Sequence, residues 1–160
     1  MRVYLAPGWR GNQQTIAPWV AGLRARGFDA EALLLGTGRA EQRTGAFLEV
    51  AEPDVVVGGI SFGGRVASLV AAEREVAGLF CISYPLAGEA DTRTRHWPSI
   101  SCPALVVNGD QDELTEVAEL RDRLPRLRRG RLEVIAGGTH SLTPELDQVL
   151  DLAAAFLATL

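Results

Sequence analysis

Ser61, Asp112 and His140 are the residues whose types and order could do chemistry together. Ser61 sits in Gly59-Ile60-Ser61-Phe62-Gly63, with glycine two places before it and two after. A serine hydroxyl is a poor nucleophile until a base takes its proton. The chain has 2 histidines, and His140 closes Gly137-Gly138-Thr139-His140. Asp112 falls between, in Gly109-Asp110-Gln111-Asp112. A nucleophile, an orienting acid and a base occur in that order when each rides the loop after a successive strand. The chemistry would be attack on an acyl carbon, and the expected reaction is cleavage of a small ester or thioester.

Such a serine must be held by a strand–turn–helix. Val55, Val56 and Val57 form an unbroken β-branched run, as in a strand covered on both faces. Val66, Leu69 and Val70 follow the glycines at helical spacing. The turn between them is a nucleophile elbow, where side chains at positions 59 and 63 would collide with backbone. The first N–H groups of a helix lack partners, so the Phe62 N–H is expected to face a developing oxyanion. The loop after the first strand should supply the second donor. There Gly8 lets the backbone turn toward the site, and Trp9 is the expected N–H donor, its alternative role being to pack the loop.

Other residues near these motifs have lesser expected roles. Asp110 and Asp112 are both available as the acid in the loop after the fifth strand. Asp112, further out, is favoured, while Asp110 stands close behind its strand and is read as closing the turn, with Thr115 capping the helix that follows. His96 precedes any acid in a suitable loop and is read as a surface or packing histidine beside Trp97. Arg65 is expected to anchor the start of its helix against a neighbouring loop, in preference to meeting a substrate carboxylate. Tyr84 ends the strand beside the elbow; it either lines the substrate pocket or packs beside Pro85.

Taken in order, strands are expected at Val3–Ala6, Phe28–Leu35, Val55–Val57, Val76–Ser83, Pro103–Asn108 and Arg131–Ala136. Helices are expected at about Thr15–Arg26, Glu41–Ala51, after Ser61, at about Thr115–Leu124, and after a capping Thr143. Leu146, Val149, Leu150, Ala153 and Leu157 form the buried stripe of the last helix. Strands alternate with helices, so the sheet should be parallel and covered on both faces. Leu86–Ser101 reads as a polar, irregular loop over the sheet. It is the only candidate cover, so the pocket is expected to be shallow and open, without a cap domain.

A chain of 160 residues with 47% hydrophobic and 22% charged residues fits one soluble globular domain, 1–160. Its 16 basic residues are all arginine. The lack of lysine excludes a Schiff-base site and a Walker-type phosphate loop. A net charge of -4 argues against nucleic acid as a partner. Six arginines crowd Arg121–Arg131 without interleaved aromatics, and read as a solvated helix end. Cys81 and Cys102 are expected as buried thiols in a reducing compartment. No histidine or cysteine pair has metal-ligand spacing, so neither metal nor cofactor is expected. No apolar run reaches membrane-spanning length and no leader is visible, so a cytoplasmic location without membrane contact is expected.

Gly59–Ser68, Ile82–Leu86, Arg93–Pro98, Pro103–Asp112 and Gly137–His140 together resemble the small alpha/beta hydrolases. More narrowly, they resemble a lidless, dienelactone-hydrolase-like group that includes testis-expressed protein thirty and the third regulatory subunit of the non-specific-lethal complex. Val3–Asn12 is similar to the opening of the retinoblastoma-binding-protein-nine type of serine hydrolase. The resemblance implies an alpha/beta-hydrolase fold with a minimal six-stranded parallel sheet, and Ser61, Asp112 and His140 as triad. Two departures stand out: Ala6-Pro7-Gly8 replaces the usual His-Gly, and the sheet begins at what is ordinarily the third strand. The resemblance leaves open a non-catalytic interaction module on the same fold, or acyl transfer to an acceptor other than water. Turnover of a nitrophenyl ester that disappears in Ser61→Ala separates catalysis from the interaction module.

Overall fold

The computed structural model describes residues 1–160. Its strands are β1 (Arg2–Ala6), β2 (Asp29–Ala32), β3 (Val55–Ile60), β4 (Gly78–Ile82), β5 (Ala104–Gly109) and β6 (Gly130–Ile135). They form one sheet in the order β2-β1-β3-β4-β5-β6, with every neighbouring pair parallel. The helices are α1 (Gln13–Ala25), α2 (Gly45–Leu48), α3 (Phe62–Glu73), α4 (Ala90–Thr94), α5 (Val117–Arg123) and α6 (Leu146–Leu157). This is the expected α/β architecture with six strands. None of its helices is long and apolar enough to cross a membrane.

Alternation along each strand divides the core in two. Val3, Leu5, Val56, Phe80, Ile82, Leu105 and Val107 pack with α1 and α6 on one face. Tyr4, Ala6, Val57, Leu79, Cys81, Ala104 and Val106 pack with α3 on the other. Both sides are buried, which is why the strands read as continuous apolar runs. Cys81 and Cys102 are buried free thiols, and burial raises both, Cys102 to about 11. The strand order reverses between β1 and β3, so the loops after these two strands part around a crevice at the carboxyl edge of the sheet.

Several local expectations change. The helix expected over Glu41–Ala51 is only a 3₁₀ turn at Ala40–Gln42 and the four residues of α2, because Gly45 and the β-branched Thr44 weaken helix between them. Asn12 caps α1, its side chain accepting from Gln14 and Thr15 N–H, so Pro18 falls beyond the first turn. Thr143 does not cap α6; its hydroxyl pairs with Ser141 at 2.7 Å and the helix starts at Leu146. Thr115 does not cap α5 either. Its hydroxyl donates to the Tyr84 carbonyl at 2.7 Å and accepts from Leu86 N–H at 2.8 Å, stitching the loop after β4 to the loop after β5.

The segment from Leu86 to Ser101 is better ordered than its polarity implies. It contains α4 and a 3₁₀ turn at Trp97–Ser99, and buries Leu86, Ala90, Trp97 and Ile100. Sequence reading missed this because the four apolar residues lie among charged ones. Arg126 reaches across from beyond α5 to Asp91 at 2.7 Å and Thr94 at 3.0 Å, with Arg123 3.5 Å from Asp91. Part of the arginine-rich stretch therefore holds α4 in place, in addition to being solvated.

His96 joins this packed segment to α3. The Ser68 hydroxyl donates to the Arg65 carbonyl at 2.7 Å, so imidazole Nε2–H is the donor to Ser68 Oγ at 2.8 Å. Burial, aided by the Arg65 guanidinium and opposed by Glu41, pushes the His96 pKa down to about 4 from 6.5. Between those values the unfolded chain binds a proton that the folded chain refuses. Stability is therefore lost as pH falls from 6.5 to about 4. His96→Gln, which keeps a side-chain donor without the titration, should show a shallower fall in melting temperature across that interval. Parallel melting curves for the two proteins would contradict the depressed pKa.

Candidate active site

Ser61 sits between β3 and α3 with φ 49° and ψ −111°, a conformation L-residues rarely adopt. Its hydroxyl is thereby lifted to the carboxyl edge of the sheet. The turn closes only because its flanks lack side chains. A Cβ on Gly59 would lie 2.5 Å from the Ala6 carbonyl oxygen, and one on Gly63 would overlap the carbonyl oxygens of both Ala6 and Pro7. The same contacts seat the elbow against the end of β1.

His140 arrives from the loop after β6, its Nε2 2.8 Å from Ser61 Oγ. Its Nδ1 is 2.9 Å and 3.0 Å from the two Asp112 carboxylate oxygens. The Asp112 side chain is fully buried, while that of His140 is 19% exposed. A buried carboxylate needs donors. Besides the imidazole, Asp112 accepts from Leu114 N–H at 2.8 Å and from Asn108 Nδ2 at 3.0 Å. The two loops meet closely: a Cβ on Gly109 would overlap the Gly138 carbonyl, and Gln111 N–H donates to that same oxygen at 2.9 Å.

Asp110 faces away from the imidazole. Its carboxylate accepts Gly137 N–H at 2.8 Å, and its own N–H donates to the Ile135 carbonyl at 3.1 Å. It closes the turn, as its position implied. Asn108 and Glu113 were not anticipated. Glu113 accepts the His140 N–H at 3.2 Å. Asn108 is a fully buried amide at the end of an otherwise apolar strand, and that out-of-place polarity was the available signal.

The N–H groups of Phe62 and Trp9 have no acceptor within the protein. The two residues meet edge to face, ring centroids 5.1 Å apart, although Trp9 is 52% exposed. Gly8 lies beside Ser61, 3.8 Å from Ser61 Cβ to the position a Cβ would take. The left-handed residue of its loop is Arg10, at φ 56°, so the turn does not depend on Gly8. Tyr84 lines no part of the site. It is fully buried against Trp97, its hydroxyl donating to the Arg93 carbonyl at 2.6 Å. Arg65 anchors the elbow helix as expected, its Nη2 2.5 Å from Glu41.

Two cavities flank Ser61. The larger, about 550 Å³, runs from Phe62 and Arg65 to Glu89 and Arg93 in the segment after β4. The smaller, about 430 Å³, includes Gly8, Trp19, His140 and Ser141. Ser61, Trp9 and Leu114 border both.

A model of the alpha/beta hydrolase domain family matches residues 29–156. Among solved structures, Est1E from Butyrivibrio proteoclasticus superposes with a TM-score of 0.84 at 18% identity, over 99% of this chain and 87% of that one. An alpha-beta serine hydrolase homologue from Coxiella burnetii gives 0.79 at 20% identity, over 97% and 84%. At these identities the likeness is one of fold. A Synechocystis protein provisionally named a non-heme chloroperoxidase is 37% identical over 62 residues, which are 38% of this chain and 22% of that protein. The chain thus aligns with less than a quarter of that relative's length.

The elbow's dependence on close backbone contact predicts the outcome of Gly63→Ala. The added methyl group cannot enter without separating β1 from α3, and overpacking of this kind costs about 1–3 kcal/mol or more. Urea unfolding should show a lower midpoint, equivalent to a loss of unfolding free energy of that size. A midpoint equal to that of the wild type would mean the elbow tolerates a side chain there.

Proposed function

Because the chain belongs to the alpha/beta hydrolase family, we propose that it is a serine hydrolase acting on a small ester or thioester. The observation that carries this reading is the continuous hydrogen-bonded line from Ser61 Oγ through His140 to buried Asp112. In neutral His140, Asp112 holds the proton on Nδ1 and leaves the Nε2 lone pair facing the serine. As Ser61 Oγ bonds to the acyl carbon, Nε2 takes the hydroxyl proton. The carbonyl oxygen becomes an oxyanion facing the Phe62 and Trp9 N–H groups. Collapse expels the alcohol or thiol, which receives the proton from Nε2. Water then repeats the sequence on the acyl-enzyme, with His140 again as base, releasing a carboxylic acid and restoring Ser61.

The cavities give each half of the substrate a direction. The leaving group must face the proton on His140, which borders only the smaller cavity. The acyl portion then extends into the larger one. Within the family, the motif series from Gly59–Ser68 to Gly137–His140 supports a place among the lidless serine hydrolases. Between β4 and β5 the chain inserts only the short helical segment already described.

A fluorophosphonate probe should label the folded protein at Ser61, and Ser61→Ala should abolish both labelling and ester turnover. The two aspartates provide a sharper comparison. Asp112→Asn leaves an amide opposite Nδ1 and removes the charge that stabilises imidazolium, a change worth on the order of 10⁴ in turnover in serine proteases. Asp110→Asn should cost far less in turnover and about 1 kcal/mol in stability through its turn. Turnover of both variants at matched folded fraction decides the assignment; an inactive Asp110→Asn beside an active Asp112→Asn would reverse it.

A further inference from the structure

The larger cavity is more charged than a pocket for a simple alkyl chain requires. Arg39, Arg65 and Arg93 line it with Glu41 and Glu89. Two ion pairs account for both carboxylates: Arg65 with Glu41 at 2.5 Å, and Arg93 with Glu89 at 2.8 Å. Arg39 has no ion-pair partner, which leaves three guanidiniums against two carboxylates.

Arg65 is itself poorly satisfied. Its side chain is only 14% exposed, yet of its five N–H donors one is used, toward Glu41. Its Nε is buried with no partner at all. A desolvated guanidinium with idle donors is costly, and an anion in the cavity would relieve that cost. Arg65 also stands one helical turn from the nucleophile, its N–H donating to the Ser61 carbonyl at 3.0 Å. Arg65 and Ser61 line the same cavity.

We propose that Arg65, assisted by Arg39, recognises a carboxylate on the acyl portion, so that the preferred substrates are monoesters or monothioesters of short dicarboxylic acids. The proposal rests on the serine-hydrolase reading and adds the substrate class to it. The second carboxylate takes no part in bond making. It forms charge-assisted hydrogen bonds with Arg65 and places the acyl carbon beside Ser61 Oγ. The product released from the acyl-enzyme is then a free dicarboxylic acid.

Two thioesters of N-acetylcysteamine test this: the glutaric monothioester and the pentanoic thioester, equal in acyl length and differing in the terminal charge. Thiol release should give kcat/KM at least tenfold higher for the glutaric compound in the wild-type protein. Arg65→Gln should bring the ratio of the two values close to one. Arg39→Gln, at an exposed loop position, should lower it partway and serves if Arg65→Gln does not fold. Free glutarate should also slow fluorophosphonate labelling of Ser61 more than pentanoate does. A wild-type ratio at or below one, or a ratio unchanged in both variants, overturns the proposal. So does labelling at Ser61 without turnover of either thioester, an outcome that leaves the reactive serine standing. Absence of labelling in folded protein removes the serine-hydrolase reading and the proposal with it.

Discussion

The site depends on how closely the backbone of the Ser61 turn approaches the end of β1. Gly59 and Gly63 bring the elbow onto the carbonyl oxygens of Ala6 and Pro7, at distances no side chain would permit. That approach fixes three things together. It imposes the unusual φ and ψ of Ser61, aims the start of α3 at the crevice, and sets the loop carrying Trp9 beside Phe62. A strained residue persists only where its surroundings over-determine it. Here the restraint is two parallel strands, β1 and β3, hydrogen-bonded along their length and packed on both faces.

Asp112 and His140 reach Ser61 through a second close backbone approach, between Gly109 and Gly138. It brings the loops after β5 and β6 together, so that Asp112 and His140 meet across 28 residues of sequence. The Asp112 carboxylate is out of water, and its donors come from three sources: the imidazole, a backbone N–H and the Asn108 amide. A carboxylate held on several sides presents one orientation to the imidazole, and with it one tautomer. Asp110, two residues away, satisfies a backbone N–H of the His140 loop instead. The two carboxylates thus serve the same pair of loops by different means, one through a side chain and the other through main chain.

The segment after β4 borders the site without forming a separate domain. Its hold on the sheet is mostly side chain to backbone. Thr115 bridges Tyr84 and Leu86, the Tyr84 hydroxyl meets the Arg93 carbonyl, and Arg93 reaches the Pro85 carbonyl at 3.0 Å. Bonds of this kind satisfy backbone groups that a non-repeating segment would otherwise bury unpaired. They also set the backbone from which Glu89 and Arg93 enter the larger cavity. The core of the sheet and the polar wall of the cavity are joined through Tyr84 and Thr115, residues that touch no part of the cavity themselves.

Much of the fold was legible along the chain, because its signals are local. Apolar runs such as Val55–Val57 and Leu105–Val107 declare strands buried on both sides, and the glycines around Ser61 declare a turn too tight for side chains. Ser61, Asp112 and His140 could be picked out because loops after successive strands must emerge at one edge of a parallel sheet. What sequence could not decide was the direction in which a polar side chain would spend its hydrogen bonds. Thr115 and Thr143 have the residue type of helix caps, yet one bridges two loops and the other pairs with Ser141. Tyr84 was eligible for the pocket by position, but its hydroxyl found the Arg93 carbonyl inside the core. Glu113 acquires its partner, the His140 N–H, only when β5 and β6 lie side by side, and Asn108 finds the Asp112 carboxylate only when the loop after β5 folds back over the end of its strand. Periodicity and turn chemistry are properties of neighbouring residues and survive in the sequence; the satisfaction of buried polar groups depends on partners brought close by folding, so tertiary structure alone decided it.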